Sequence, residues 1–231
     1  MKILLTGGSG LLGSELLKLD HKIVAPNSKS LNINDKNSCR LWIENEKPDV
    51  ILHAAAFTSP PVCEKNPTKA RQVNIVGTIN LLDLCEEKNI KLVYISTDYV
   101  FDGKVGLYST TDAINPINKY ALTKAAGELA VKTYDNSLII RTSFCQNEFP
   151  YEKAFIDQYT SRDYVDVIAP KILNCAKSKM NGIVHVGTKR KTVFDLAKQR
   201  KPNVGKLSIS DVSFNPPRDT SFSEKDVHGK Q

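Results

Sequence analysis

Short apolar runs alternate along the chain with segments in which apolar residues return every third or fourth position. The runs KILLT (2–6), HKIVA (21–25), DVILH (49–53), KLVYIS (91–96) and SLIIR (137–141) have the length and near-continuous hydrophobicity of buried strands. Residues 10–19, 35–44, 67–88 and 120–133 between them read as helices. In the longest, Val73, Val76, Ile79, Leu82 and Cys85 recur at helical spacing and mark the face expected to meet the core. Strands alternating with helices predict an α/β fold, a doubly wound parallel sheet covered on both faces. After residue 141 the pattern loosens. A helix is expected over 166–179 with Pro170 in its first turn, a strand at GIVHV (182–186) and a short helix over 192–199. NPPRDTSFSEKD (215–226) reads as an irregular loop.

Directly after the first strand comes GGSGLLG, in which Gly7, Gly10 and Gly13 stand at three-residue intervals and open a helix. A pyrophosphate reaches the free N–H groups of a helix start only where no Cβ blocks the backbone. Glycines so placed between a first strand and a first helix predict a dinucleotide site of the Rossmann kind. Such sites usually carry an acid at the end of the second strand, where it binds the ribose hydroxyls. Here that place holds Asn27, Ser28 and Lys29. Without a carboxylate to repel a 2′-phosphate, and with Lys29 to attract one, NADP is expected to be tolerated or preferred beside NAD. The chain thus divides into a nucleotide-binding Rossmann domain (1–145) and a small, reduced substrate-binding part (146–231), with 182–186 a candidate for return to the main sheet.

The stretch NKYALTKAAGE (118–128) sets Tyr120 one helical turn before Lys124, on the same face. A nearby ammonium lowers the pKa of a phenol by stabilising the phenolate, which lets a tyrosine give a proton to a carbonyl oxygen as hydride reaches its carbon. YxxxK alone is common. Its weight comes from Thr97, a hydroxyl at the carboxyl end of the fourth strand where such folds bind ligands, in STDYVFDG (96–103).

Charge and cysteines narrow the class. The net charge of +7 comes from the last quarter, because residues 171–231 hold 13 Lys and Arg against 5 Asp and Glu. No aromatic residues interleave with these lysines in the manner of a base-stacking surface, so nucleic acid is not an expected partner. Arg218 in this basic segment is a candidate diphosphate partner, since a guanidinium binds oxyanions bidentately. Five widely spaced cysteines without a CxxC pair argue against a zinc site or a disulfide framework, and fit a reducing cytoplasm. No signal peptide or membrane segment is expected, because glycines interrupt the apolar N-terminus.

GGSGLLG, HAAA (53–56), VCEKNP (62–67), VNIVGTINL (73–81), STDYVFDG, YALTK and RTSF (141–144) follow one another as in the extended short-chain dehydrogenase/reductases. Within these the chain most resembles the dTDP-4-dehydrorhamnose reductase family, specifically over its first two thirds and more faintly beyond. The resemblance implies NAD(P)H-dependent reduction of the 4-keto group of a nucleotide-linked 6-deoxy-sugar. No metal is expected among the site residues, and a homodimer is a compatible assembly. Thr97 would hydrogen-bond the keto oxygen, Tyr120 would protonate it, and Lys124 would bind the nicotinamide ribose and lower the pKa of Tyr120. Gly7, Gly10, Leu11, Leu12, Gly13, Asn27, Ser28, Lys29, Asn32, Ile33, Ala54, Ala55 and Ala56 would line the cofactor. Thr58, Asp98, Phe144 and Arg218 would meet the substrate. Asn32 stands where the family commonly has aspartate, Ser59-Pro60-Pro61 replaces a more acidic stretch, and Phe144 takes the place of a frequent tryptophan. The chain is shorter than a typical member, and the reduction is expected in the substrate-binding part.

Other activities use the same parts. A sugar 4,6-dehydratase needs a second carboxylate after the strand-end threonine, and here Asp98 is followed by Tyr99, which disfavours it. A nucleotide-sugar epimerase uses the same tyrosine and lysine and stays open. So does a non-catalytic NAD(P)-binding regulatory subunit, because the regulatory subunit of methionine adenosyltransferase resembles this family.

Overall fold

The computed structural model describes residues 1–228; the last three residues of the expected 146–231 part lie outside the described residues. The first half runs β1 (Ile3–Thr6), α1 (Leu11–Leu19), β2 (Ile23–Val24), α2 (Lys36–Glu46), β3 (Val50–His53), α3 (Pro60–Lys65) and α4 (Pro67–Arg71). A π-helical turn, Gln72–Val76, then leads into α5 (Gly77–Lys88), followed by β4 (Lys91–Thr97), α6 (Lys119–Val131) and β5 (Ser137–Thr142). The remainder contains β6 (Phe144–Cys145), β7 (Lys153–Phe155), β8 (Tyr159–Thr160), β9 (Asp163–Tyr164), α7 (Val165–Lys177), β10 (Gly182–Val186), β11 (Lys191–Thr192), α8 (Val193–Lys198), β12 (Gly205–Leu207) and β13 (Val227–His228).

One parallel sheet in the order β2-β1-β3-β4-β5-β10-β13 forms the centre. The chain leaves β1 toward β2, then crosses to β3 on the other side, so the sheet opens a crevice at the carboxyl ends of β1 and β3. Side chains alternate between the faces as the pleat requires. Leu5, Leu52, Val93, Ile140 and Val186 meet α1 and α7 on one face, and Leu4, Ile51, Leu92, Tyr94 and Ile139 meet α2, α5 and α6 on the other. The chain after residue 145 contributes two strands to this sheet and a covering helix, besides the small strand pairs β6–β9, β7–β12 and β8–β11. Residues 215–226 run without regular structure apart from single bridges at Asp219 and Phe222. No described helix is long and apolar enough to cross a membrane.

Two expectations need correction. Of the face expected on the long helix, Leu82 and Cys85 are buried and Val73 packs against the core, but Val76 and Ile79 are 40% and 38% exposed. Gly77, Thr78, Leu81 and Leu84 face inward in their place. The π turn adds a residue to its loop and so rotates the helix that follows, which a uniform 3.6-residue period does not capture. Pro170 lies well inside α7, which begins at Val165, rather than in its first turn.

The sheet and α6 are tied by a buried ion pair. Glu128 on α6 and Arg141 on β5 are 2% and 3% exposed. Arg141 Nε donates to Glu128 Oε1 at 3.0 Å, Arg141 Nη2 donates to the same carboxylate, and Ser96 Oγ on β4 donates to Oε2 at 2.7 Å. Removing one partner leaves the other charge buried and uncompensated, which costs about 3–5 kcal/mol. Urea unfolding of Glu128→Ala is therefore expected to show a loss of about that size, whereas Glu128→Leu combined with Arg141→Met should regain most of it. Equal losses in the single and double variants would refute the pairing.

Candidate active site

The crevice at the sheet's carboxyl edge is a cleft of about 650 Å³, within the range that holds a cofactor or drug-sized ligand. Its floor is the turn after β1. Gly7 has φ +80°, and a Cβ there would sit 2.7 Å from Ala55 N. At Gly13 a Cβ would meet Gly7 O at 2.3 Å, so the helix can pack this close to the strand only with glycine. Gly10 differs, for its nearest neighbour is Gly7 O at 3.2 Å. It caps α1 without any side-chain hydrogen bond, which leaves the first amides of the helix open toward the cleft. These features fit a pyrophosphate at the helix start.

Beyond β3, Ala54, Ala55 and Ala56 form the adjoining wall. His53 beneath them is buried between Thr6 and Thr78, with Nδ1 2.7 Å from Thr6 Oγ1 and Nε2 3.0 Å from Thr78 Oγ1. Burial, aided by the charge of Lys124, holds its pKa down to about 3, so it stays neutral. The π turn contributes Asn74, whose Oδ1 accepts from Phe57 N at 2.7 Å and whose Nδ2 donates to Phe57 O and to Thr123 Oγ1. One side chain thus joins the 57–60 loop to α6.

Thr97, Tyr120 and Lys124 all line the same cleft. Asn118 caps α6, its Oδ1 accepting from Ala121 N at 2.8 Å, which fixes the helix start two residues before Tyr120. Tyr94 Oη donates to Lys124 O at 3.1 Å. A Cβ on Gly127 would lie 2.6 Å from Tyr94 Oη, so glycine lets α6 lie against β4. The Tyr120 phenol has its pKa pushed up by burial, with the neighbouring Thr97 hydroxyl working against the rise. Lys124, 3% exposed, holds its Nζ 4.0 Å above the Tyr94 ring. Among the described residues Nζ has no hydrogen-bond acceptor, leaving its donors for a ligand. Burial brings its pKa down to about 7, while Glu128 pulls the other way.

Asp98 follows Thr97 on the cleft wall. It is buried, with Thr220 Oγ1 donating to Oδ2 at 2.7 Å and Thr97 Oγ1 to Oδ1 at 3.2 Å. Burial raises its pKa against the charge of Arg162 and these bonds. The β6–β9 pairing sets Phe144 opposite Asp163, which brings Ser143 and Arg162 together. Arg162 Nε donates to Ser143 Oγ at 2.9 Å.

Of the residues singled out from the sequence, Gly7, Gly10, Leu11, Leu12, Gly13, Ser28, Asn32, Ile33, Ala54, Ala55, Ala56, Thr58, Thr97, Asp98, Tyr120, Lys124 and Phe144 line the cleft. Asn27, Lys29 and Arg218 do not. Asn27 closes a turn by accepting from Lys29 N and Ser30 N, and Lys29 is exposed at the rim. Arg218 is exposed on the irregular segment, its carbonyl accepting from Tyr159 N. Arg162, Ser143, Asn74 and the Glu128–Arg141 pair were not among the expected site residues. A signal existed for the pair, in an arginine ending the apolar run SLIIR and a glutamate one turn after Lys124. Nothing local distinguished Arg162.

The family model described as the RmlD substrate binding domain matches residues 1–174. The chain belongs to this family. Within the RmlD substrate-binding-domain family, it is 35% identical over 180 residues to "dTDP-4-dehydrorhamnose reductase" of Aggregatibacter actinomycetemcomitans, an alignment covering 74% of this chain and 61% of that protein. The chain thus spans about three fifths of that relative's length. A crystal structure titled as a hypothetical dTDP-4-dehydrorhamnose reductase from Sulfolobus tokodaii superposes with a TM-score of 0.86 at 31% identity, over 97% of this chain and 93% of that one. The Bacillus anthracis dTDP-4-dehydrorhamnose reductase in complex with NADP gives 0.86 at 27% identity, over 96% and 90%.

Two predictions follow from this geometry. Gly13→Ala should destabilise the fold because backbone atoms block its Cβ, whereas Gly10→Ala should unfold near the native midpoint yet bind NADPH at least tenfold more weakly. Titration of cofactor fluorescence beside thermal melts checks both, and unchanged affinity in Gly10→Ala would remove the cradle. For Lys124, the unfolded chain keeps a proton that the folded chain releases between about 7 and the usual 10.5. The stability of the cofactor-free native protein relative to Lys124→Met should therefore rise with pH across that window and be lost as pH falls through about 7. Urea unfolding at pH 7 and 9 measures it. A difference independent of pH would show that the ammonium is not suppressed.

Proposed function

We propose that this protein reduces the 4-keto group of a nucleotide-linked 4-keto-6-deoxy-sugar with NADPH or NADH. The observation that carries the reading is the convergence of Thr97, Tyr120 and a buried Lys124 on one cleft floored by an uncapped, glycine-lined helix start. The relatives' names and the NADP held by the Bacillus anthracis enzyme support the substrate class and cofactor.

A nicotinamide cofactor, when bound, supplies the hydride. The Gly7–Gly13 turn and the first amides of α1 would hold its pyrophosphate, and Lys124 Nζ its ribose hydroxyls. Ser28 and Asn32 line the cleft and would meet the ribose without a carboxylate, while Lys29, exposed at the rim, would meet a 2′-phosphate. Thr97 and Tyr120 hydroxyls would grip the keto oxygen, which localises the charge that develops there. Tyr120 then passes its proton to that oxygen. The phenolate left behind is costly in so buried a place, and the Lys124 ammonium close by offsets that cost. Because Lys124 titrates near neutrality, it can also lose a proton and so help restore Tyr120.

The test mixes the protein with NADPH and dTDP-4-keto-6-deoxy-glucose and follows nicotinamide absorbance. Oxidation that falls by about 10²–10⁴-fold in Tyr120→Phe, with cofactor affinity retained, is the expected result. Cofactor binding without oxidation in the native protein would instead support a nucleotide-binding scaffold, and sugar inversion without net oxidation an epimerase.

A further inference from the structure

Asp98 is a carboxyl group in the cleft that enters no ion pair among the described residues. It is 2% exposed, and its two oxygens meet hydroxyls. Oδ2 accepts from Thr220 Oγ1 at 2.7 Å, while Oδ1 lies 3.2 Å from Thr97 Oγ1. The charged and titratable groups around it are Arg162, which precedes β9, Tyr99 beside it in sequence and Tyr120 on α6, whereas Ser143 and Thr220 bring only hydroxyls. Burial pushes its pKa up against the charge of Arg162 and these hydroxyls, which favours the neutral acid.

A threonine hydroxyl has one hydrogen to give and two lone pairs to receive with. At Thr97 one lone pair is taken by Tyr99 N, at 3.2 Å. With Asp98 ionised, the single hydrogen goes to Oδ1, and the remaining lone pair is open to the neighbouring Tyr120 phenol. Donation then runs from Tyr120 to Thr97 to Asp98, away from any keto oxygen in the cleft. With a proton on Oδ1, donation reverses across the same 3.2 Å. Asp98 donates to Thr97, both lone pairs of Thr97 are filled, and the hydrogens of Thr97 and Tyr120 are left for the keto oxygen. Thr220 already donates to Oδ2, so the proton belongs on Oδ1, the oxygen that faces Thr97. A carboxylic acid kept neutral by its surroundings can serve as a donor in this way.

We propose that Asp98 is a positioning residue that works in its neutral form, its carboxyl hydrogen turning the Thr97 hydroxyl, and with it the Tyr120 proton, toward the carbonyl of the substrate. The proposal rests on the reductase reading for that carbonyl. Asp98 keeps its proton throughout, and the proton transferred to the keto oxygen is that of Tyr120.

Infrared spectroscopy of the full chain saturated with NADPH reads this proton without turnover. At pH 7 the native spectrum minus that of Asp98→Asn should contain the C=O band of an un-ionised carboxylic acid, which gives way to carboxylate as pH rises. Absence of the band overturns the proposal. In turnover of a 4-keto-6-deoxy-sugar, Asp98→Ala should lower kcat about 10²-fold, the loss that follows removal of an oxyanion donor, and Asp98→Asn, whose amide hydrogen replaces the carboxyl one, should recover about tenfold or more of it. The ratio of native to Asp98→Asn kcat should fall as pH rises through the midpoint at which the infrared band disappears, because only the native side chain ionises. A tie that merely holds Thr220 in place would give the recovery without this pH dependence, so a ratio constant across the midpoint overturns the positioning role. So does an Asp98→Asn variant no faster than Asp98→Ala. If Asp98→Ala fails to fold, the band and the ratio, which use Asp98→Asn alone, still decide. A band in a native protein that never oxidises NADPH with a keto-sugar upholds the neutral Asp98 and removes the reductase reading instead.

Discussion

A carboxylate and a guanidinium buried together beneath α6 govern how the site is built. Glu128 and Arg141 are out of water, so each needs the other, and Ser96 takes up a further lone pair of the carboxylate. That requirement fixes α6 in rotation and height over β4 and β5. Tyr120 and Lys124 lie two turns and one turn back along the same helix, and their places over the strand ends follow from it. The pair also acts on charge. Glu128, one turn on, supports the Lys124 ammonium, but burial prevails and brings its pKa down to about 7.

The π turn before α5 is a second constraint, and it explains an apparent irregularity. A regular helix from Pro67 onward would carry Val76 and Ile79 inward. Instead the widened turn places Asn74 where it can close three hydrogen bonds, two to Phe57 and one to Thr123, while Thr78 reaches His53. The apolar burial given up at Val76 and Ile79 is recovered by Leu81 and Leu84 after the rotation. What the distortion provides is a rigid link between the loop that follows the alanine wall and the helix that carries Tyr120, consistent with the tendency of such turns to occur at functional sites.

The parts of this architecture that were legible in the sequence are those written in local rules. Continuous apolar runs gave the strands of the first 142 residues to within a few positions. The glycine turn was readable because backbone approach leaves no alternative residue at Gly7 or Gly13. YxxxK was readable because one helical turn brings two side chains onto one face. Contacts between distant segments escaped for the complementary reason. Arg162 sits in a stretch of polar residues with no period, and only the two-residue pairing of Phe144–Cys145 with Asp163–Tyr164 brings it to Ser143. Arg218 looked equally suitable on charge alone, yet it lies on the outer side of the irregular segment whose Thr220 reaches Asp98.

That contrast separates the two ends of the cleft physically. The cofactor end is shaped by main chain, where a Cβ at Gly7 or Gly13 collides with atoms that cannot move. The other end is shaped by side chains from four segments, around Asp98, Ser143, Arg162 and Thr220, held by short pairings and hydroxyl bonds. Asp98 is the point where they meet, linked to Thr97 on one side and to Thr220, from 122 residues further along, on the other. One end of the cleft is therefore held by backbone packing, while the other depends on side-chain hydrogen bonds between segments far apart along the chain.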